Sequence, residues 1–191
     1  MTTQAALALP HVLQRAVPRE ADAALLLRCR AGERAAFDLL LDRYRERVLN
    51  LAFQLLRDRH AAEDVAQEVF VRAFARIHEF RGESALFTWL YRITLNECRA
   101  RTRRAKAVLN FDDYAERGDN ASTPESAALE KMALERALDQ LSEPLRIALV
   151  LREWHGLSYE EIARVLKLPV GTVRSRLHQA RRNFQSFWEA E

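Results

Sequence analysis

Apolar residues recur along this chain at every third or fourth position, and glycine or proline marks most of the breaks in that rhythm. The glycines are Gly32, Gly82, Gly118, Gly156 and Gly171, and the prolines are Pro10, Pro18, Pro124, Pro144 and Pro169. Between the breaks the spacing predicts helices over 21–31, 34–56, 61–78, 85–105, 126–141, 144–155, 158–166 and 170–187. No stretch shows convincing strand alternation, so the expected fold class is all-α. Residues 1–19, with two prolines and little periodicity, read as a loose extension. The stretch 110–124, NFDDYAERGDNASTP, combines turn formers with an acidic excess and predicts a flexible linker over 106–125. Two small helical domains are therefore expected, at 20–105 and 126–188.

The most informative pattern is LSYEEIARVLKLPVGTVRSRLHQARR, residues 157–182. Ser158 followed by Glu161 is a capping box that fixes a helix start. Ile162, Val165 and Leu166 give the short helix one apolar face, and Pro169 pushes the residue before it out of helical geometry. A second helix begins near Val170, with Val173, Leu177, Ala180 and Phe184 as its inward stripe. That projection turns Gly171, Ser175, His178, Gln179 and Arg182 outward, with Arg174 and Arg181 on one flank and Thr172 and Arg176 on the other. No acid occurs from Lys167 to Ser186, while five cations do. A helix-turn-helix sets its second helix in the DNA major groove, where Arg can bind guanine and Gln adenine bidentately. A basic solvated face is the plainer reading of the charges alone; cap, turn, stripe and one-sided charge together favour DNA binding.

Two stretches stand out in the first domain. In AEDVAQEVFVRAF, residues 62–74, Val65, Ala66, Val69, Phe70, Ala73 and Phe74 are expected to face inward, leaving Asp64, Gln67, Glu68 and Val71 outside. The residues by themselves suit a solvated helix face, since acids favour a first turn; the functional alternative is a docking face for a basic partner helix. In FRGESALFTWLYRITLNECRARTRRAK, residues 80–106, a loop at 81–84 leads into an aromatic-rich helix with a basic far end. Aromatics beside a basic strip can hold unstacked bases, although Phe87, Trp89 and Leu90 taken singly suit a core.

Composition narrows the classes. Nearly half of the 191 residues are apolar, and the net charge of +3 matters less than its clustering. Cys29 and Cys98 are isolated, which suggests reduced core positions and neither a disulfide nor a metal site. His11, His60, His78, His155 and His178 are scattered and read as surface or capping residues. Phosphate-loop, dinucleotide, zinc-protease and nucleophile-elbow motifs are all missing. No catalytic residue, metal or cofactor is expected, and no signal peptide or spanning segment is recognisable, which predicts a cytoplasmic protein.

Taken in order, the segments 62–74, 80–100 and 157–181 resemble three motif blocks of bacterial RNA polymerase sigma factors of the sigma-seventy superfamily, in the compact extracytoplasmic-function group. The resemblance covers all but the first twenty or so residues and the details of the linker. It implies a protein that binds core RNA polymerase, directs it to promoters and helps open the duplex, contacting promoter DNA both as duplex and as single non-template strand. By motif position it implies core-polymerase contacts at Asp64, Gln67, Glu68 and Val71. It implies minus-10 contacts at Gly82, Glu83, Ser84, Arg92, Asn96 and Arg99. Minus-35 contacts would come from Gly171, Thr172, Arg174, Ser175, Arg176, His178, Gln179 and Arg182. It further implies an acidic linker threading a polymerase channel and an anti-sigma factor, often membrane-bound, that would hold this chain at the inner membrane without the chain itself inserting. The competing expectations are a helix-turn-helix regulator that binds duplex DNA without polymerase, and a sigma-like adaptor that touches no DNA; an adaptor would have no use for Arg174, Arg176 and Gln179 together.

Overall fold

The computed structural model describes residues 19–80, 85–109, 134 and 136–188, and among these there is helix but no strand. Four helices form the N-terminal half: α1 (Arg19–Arg30), α2 (Arg34–Leu56), α3 (Arg59–Arg76) and α4 (Leu86–Leu109), with a 3-10 turn at Ile77–Glu79. The C-terminal half holds α5, described at residues 134 and 136–139, then α6 (Glu143–Glu153), α7 (Tyr159–Leu166) and α8 (Val170–Trp188). The expected linker overlaps the last turn of α4, which continues to Leu109; residues 110–125, like the extension at 1–18, lie outside the described residues.

Local chemistry sets the element ends. Gly32 turns the chain after α1 with φ +83°, a conformation a side chain would strain. Between α2 and α3 only two residues intervene. Arg57 ends α2 in the left-handed region, its N–H bonded to the Phe53 carbonyl, and Asp58 caps α3 by accepting from Ala61 N at 2.9 Å. The capping box of α7 is fully formed: Glu161 N donates to Ser158 Oγ at 3.2 Å, and Ser158 N donates to Glu161 Oε2 at 2.9 Å. Lys167 then takes a left-handed conformation, φ 55°, to end α7.

The N-terminal helices close around Leu40, Val48, Val69, Phe70, Leu86 and Leu90. Buried Asp22 pins α1 to α2, accepting from Arg43 Nη1 at 2.9 Å and from the Tyr44 hydroxyl. Burial and that carboxylate push the Tyr44 phenol well above its ordinary pKa. At the C-terminal end a small core joins Leu138, Leu141, Leu145 and Leu149 to Ala180 and Phe184 of α8.

A third core belongs to both halves. Leu51 of α2 and Tyr91 and Leu95 of α4 are buried with Ile147, Val150 and Leu151 of α6, Ile162 and Val165 of α7, and Val173 and Leu177 of α8. The two halves therefore lie directly against each other, an apposition that periodicity does not predict.

Candidate nucleic-acid interface and docking face

On α8, Val173, Leu177, Ala180 and Phe184 are all buried, as their spacing predicts. The helix is thereby held by its own core. Gly171, Arg174, Ser175, His178, Gln179 and Arg182 are exposed, and Thr172 and Arg176 half-exposed, so the candidate set lies along the outer side of one rigid helix. Among the described residues Arg174, Arg176 and Arg182 are in no ion pair, whereas Arg181 is held by Glu153 of α6 at 2.7 Å. Arg181 thus braces α8 on α6. Gly171 has an ordinary helical φ, and a Cβ added there would meet nothing within 4 Å. The fold itself does not require a glycine at this helix N-terminus, where free N–H groups favour an anion.

On α3, Val65, Ala66, Val69, Phe70 and Ala73 are buried and Asp64, Gln67 and Glu68 are exposed. Phe74 departs from the expectation. It is 54% exposed, touching Phe37 edge-on at 4.9 Å, because it follows Ala73 around the helix onto the outer rim. With Val71, 63% exposed, it gives the acidic face an apolar margin. The carboxylates are not free-standing: Arg101 of α4 reaches Asp64 at 3.1 Å, and Arg72 spans Glu68 at 2.7 Å and the buried Glu97 at 2.9 Å.

On α4, Arg92 is half-exposed and Asn96 and Arg99 are exposed, while Leu90, Tyr91 and Leu95 of the same helix are buried. Trp89 packs at a tilt on Phe80, ring centroids 5.5 Å apart, and is half-buried. Gly82, Glu83 and Ser84 lie outside the described residues. Arg99 Nε donates to Glu143 Oε1 at 3.1 Å, so a candidate nucleic-acid contact of the N-terminal half is engaged by the C-terminal half.

His155 was expected at the surface, and the structure corrects this. Its ring lies between the halves, with Nδ1 2.8 Å from the Tyr91 hydroxyl and Nε2 3.1 Å from Gln54 Oε1. The phenol donating to Nδ1 and Nε2–H donating to the amide oxygen make a satisfied neutral imidazole. Burial first, and then the charge of Arg47, lower its pKa to about 4. Its partners are 64 and 101 residues away in sequence, so no local signal could have revealed the seat. Among the described residues no cluster could hold a metal ion, and no helix is long and apolar enough to cross a membrane.

Comparison with known proteins places these faces in context. A family described as Sigma-70 region 2 matches residues 40–108, and one described as Sigma-70, region 4 matches residues 131–184. The chain is similar to the RNA polymerase sigma-H factor of Pseudomonas aeruginosa, 43% identical over 176 residues that cover 85% of this chain and 91% of that one. It is 38% identical to the ECF RNA polymerase sigma-E factor of Escherichia coli K12 over 173 residues, covering 84% and 90%. Among solved structures it superposes on CnrH in complex with the cytosolic domain of CnrY with a TM-score of 0.72 and 26% identity, covering 90% of this chain and 99% of that one. RpoE bound to the anti-sigma factor NepR, from Bartonella quintana, gives a TM-score of 0.71 at 26% identity, covering 81% and 98%.

Proposed function

The chain belongs to the sigma-70 family, among its ECF sigma factors, and we propose that the faces of α3, α4 and α8 described above divide the work of promoter recognition in it. As a family member it binds core RNA polymerase and directs it to promoters. The assignment of residues to tasks is the proposal. The observation that carries it is that each matched region turns a coherent outer face away from a buried stripe, acidic with an apolar margin on α3 and basic on α8.

Residues 20–105 act as sigma domain two and 126–188 as sigma domain four. Asp64, Gln67, Glu68 and Val71 form the polymerase-docking face. The carboxylates steer and register a basic partner helix, and Val71 supplies apolar area. Gly82, Glu83 and Ser84, with Arg92, Asn96 and Arg99 of α4, hold the melted minus-10 strand. Extruding a base from the stack costs a few kcal/mol, which a pocket on a rigid helix must recover.

In the other domain, Arg174, Ser175, Arg176, His178 and Gln179 meet base edges and phosphates of the minus-35 duplex in the major groove. Gly171 and Thr172 bring the α8 N-terminus to a phosphate, and Arg182 follows the backbone. The chain itself supplies no catalytic group or cofactor, since RNA synthesis is the polymerase's chemistry. It works in the cytoplasm, and an anti-sigma partner would hold it inactive, at the inner membrane where that partner is membrane-bound. A stand-alone regulator would have no need of the α3 face.

Charge reversal tests the docking assignment. Asp64→Arg with Glu68→Arg should abolish co-purification with core RNA polymerase and leave helix content unchanged, because both carboxylates are exposed. A double variant that still captures core polymerase would place the docking face elsewhere.

A further inference from the structure

The basic end of α4 is not one surface. Arg99, Arg101, Arg103 and Arg104 are close in sequence, but a helix turns by about 100° at each residue. Arg92 and Arg99 precede Arg101 by nine and two residues, which sets both roughly 180° away from it around the axis. Arg101 reaches instead to α3, where its Nη1 lies 3.1 Å from Asp64 Oδ2. The next carboxylate of that face is also met by a guanidinium, with Arg72 2.7 Å from Glu68. The two arginines differ in what else they hold. Arg72 lies 2.9 Å from buried Glu97 as well, and its departure would leave that carboxylate buried and unpaired. Arg101 makes no second ion pair among the described residues, and it is half-exposed while Asp64 is exposed. A pair of that kind contributes little and exchanges partners readily.

We propose that Arg101 is an internal competitor for the polymerase: it occupies Asp64 in the free chain, yields that carboxylate to a cation of core RNA polymerase on docking, and so lowers the affinity of the docking face. The inference rests on the reading of Asp64 and Glu68 as docking residues. At Asp64, docking exchanges one ion pair for another, and only the difference between the two favours the complex. Without Arg101 the same carboxylate would meet the polymerase unpaired, and the new pair would contribute in full. No such exchange is open at Glu68, because Glu97 retains Arg72. Asp64 is therefore the adjustable position of the face, and Arg101 sets it. Arg99 and Arg101, two residues apart, serve different partners: the first faces the DNA strand, the second tunes the hold on polymerase.

The test measures binding of the full-length protein to immobilised core RNA polymerase across a salt series. Arg101→Ala should bind about two- to fivefold more tightly than wild type at low salt, the span of an exposed ion pair. Its affinity should also fall more steeply as salt rises, because a free carboxylate then forms a new, screenable pair. Arg101→Lys keeps the charge and should stay near wild type. In an Asp64→Asn background, Arg101→Ala should change nothing, since the competition needs the carboxylate. Equal or weaker binding by Arg101→Ala overturns the proposal, as does a tightening that persists in the Asp64→Asn background. With polymerase saturating, Arg101→Ala should open promoter DNA as wild type does; a loss there would assign Arg101 to the DNA and overturn the proposal too. If Asp64→Arg with Glu68→Arg still captures core polymerase, the docking reading itself falls. An ineffective Arg101→Ala beside a charge reversal that abolishes capture refutes the competition alone.

Discussion

Acidification is expected to loosen this molecule through one residue. His155 is neutral in its seat, with a pKa of about 4, whereas the unfolded chain returns it to its ordinary value of 6.5. The folded pKa lies below the unfolded one, so at intermediate pH the unfolded state binds more protons and stability rises with pH. The contribution is complete above about pH 6.5 and is lost as the pH falls toward 4. The full window is worth about 3 kcal/mol, and the fall from pH 7 to pH 5 costs about 2 kcal/mol. The physical event is loss of the Nδ1 lone pair, which leaves the Tyr91 hydroxyl without its acceptor and puts a cation near Arg47.

Urea unfolding at pH 7 and pH 5, for the wild type and for His155→Gln, isolates this term. Gln cannot titrate, and the remaining carboxylates and histidines are common to both proteins. The wild-type midpoint should fall by about 1 M more than that of the variant over this range. Parallel pH dependences would refute the seat described for His155.

Three substitutions probe the recognition half. Arg176→Ala should reduce discrimination among upstream promoter sequences by about 1–3 kcal/mol if it touches a base edge, measured by competition binding of the holoenzyme. Unchanged discrimination would remove Arg176 from the base-reading set. Gly171→Ala should raise thermal stability slightly, by up to about 1 kcal/mol from helix propensity, because a Cβ there meets only open space; if the backbone approaches a phosphate, promoter binding should fall at the same time. Gains in both would show that Gly171 makes no close approach. Leu177→Ala removes a fully buried side chain from the shared core and should cost about 2–5 kcal/mol in denaturant unfolding, and a cost below 1 kcal/mol would mean the core is less closely packed there.

The helices, and which residues of α8 face outward, were legible because both rest on local physics. Period-3.6 stripes, sparse glycine and proline, and a complete capping box at Ser158 and Glu161 leave little freedom over α7 and α8. The break between α2 and α3 was legible only as a gap, since the left-handed Arg57 and the Asp58 cap carry no glycine or proline signal. Phe74 was misassigned because an aromatic at the edge of a stripe satisfies the periodicity whether or not anything covers it. What could not be read was long-range. Arg99 with Glu143, Arg181 with Glu153, and His155 with Tyr91 and Gln54 are pairings of residues 28 to 101 positions apart. The Arg99 and His155 pairings depend on how the two halves pack, and the Arg181 pairing on how α8 packs on α6 within one half; hydrophobic periodicity states only that a face must be covered. The roles of individual residues at the promoter came from the family resemblance; exposure, and freedom from ion pairs among the described residues, as at Arg174 and Arg176, are what the fold adds.

The most direct measurement is transcription in vitro with purified core RNA polymerase on a library of promoter-length duplexes, with and without this protein. The account predicts discrete start sites that appear only with the protein and share two sequence elements, the upstream one altered in preference by Arg176→Ala. Duplex binding by the protein alone, with no protein-dependent transcripts, would contradict it and identify a stand-alone regulator instead.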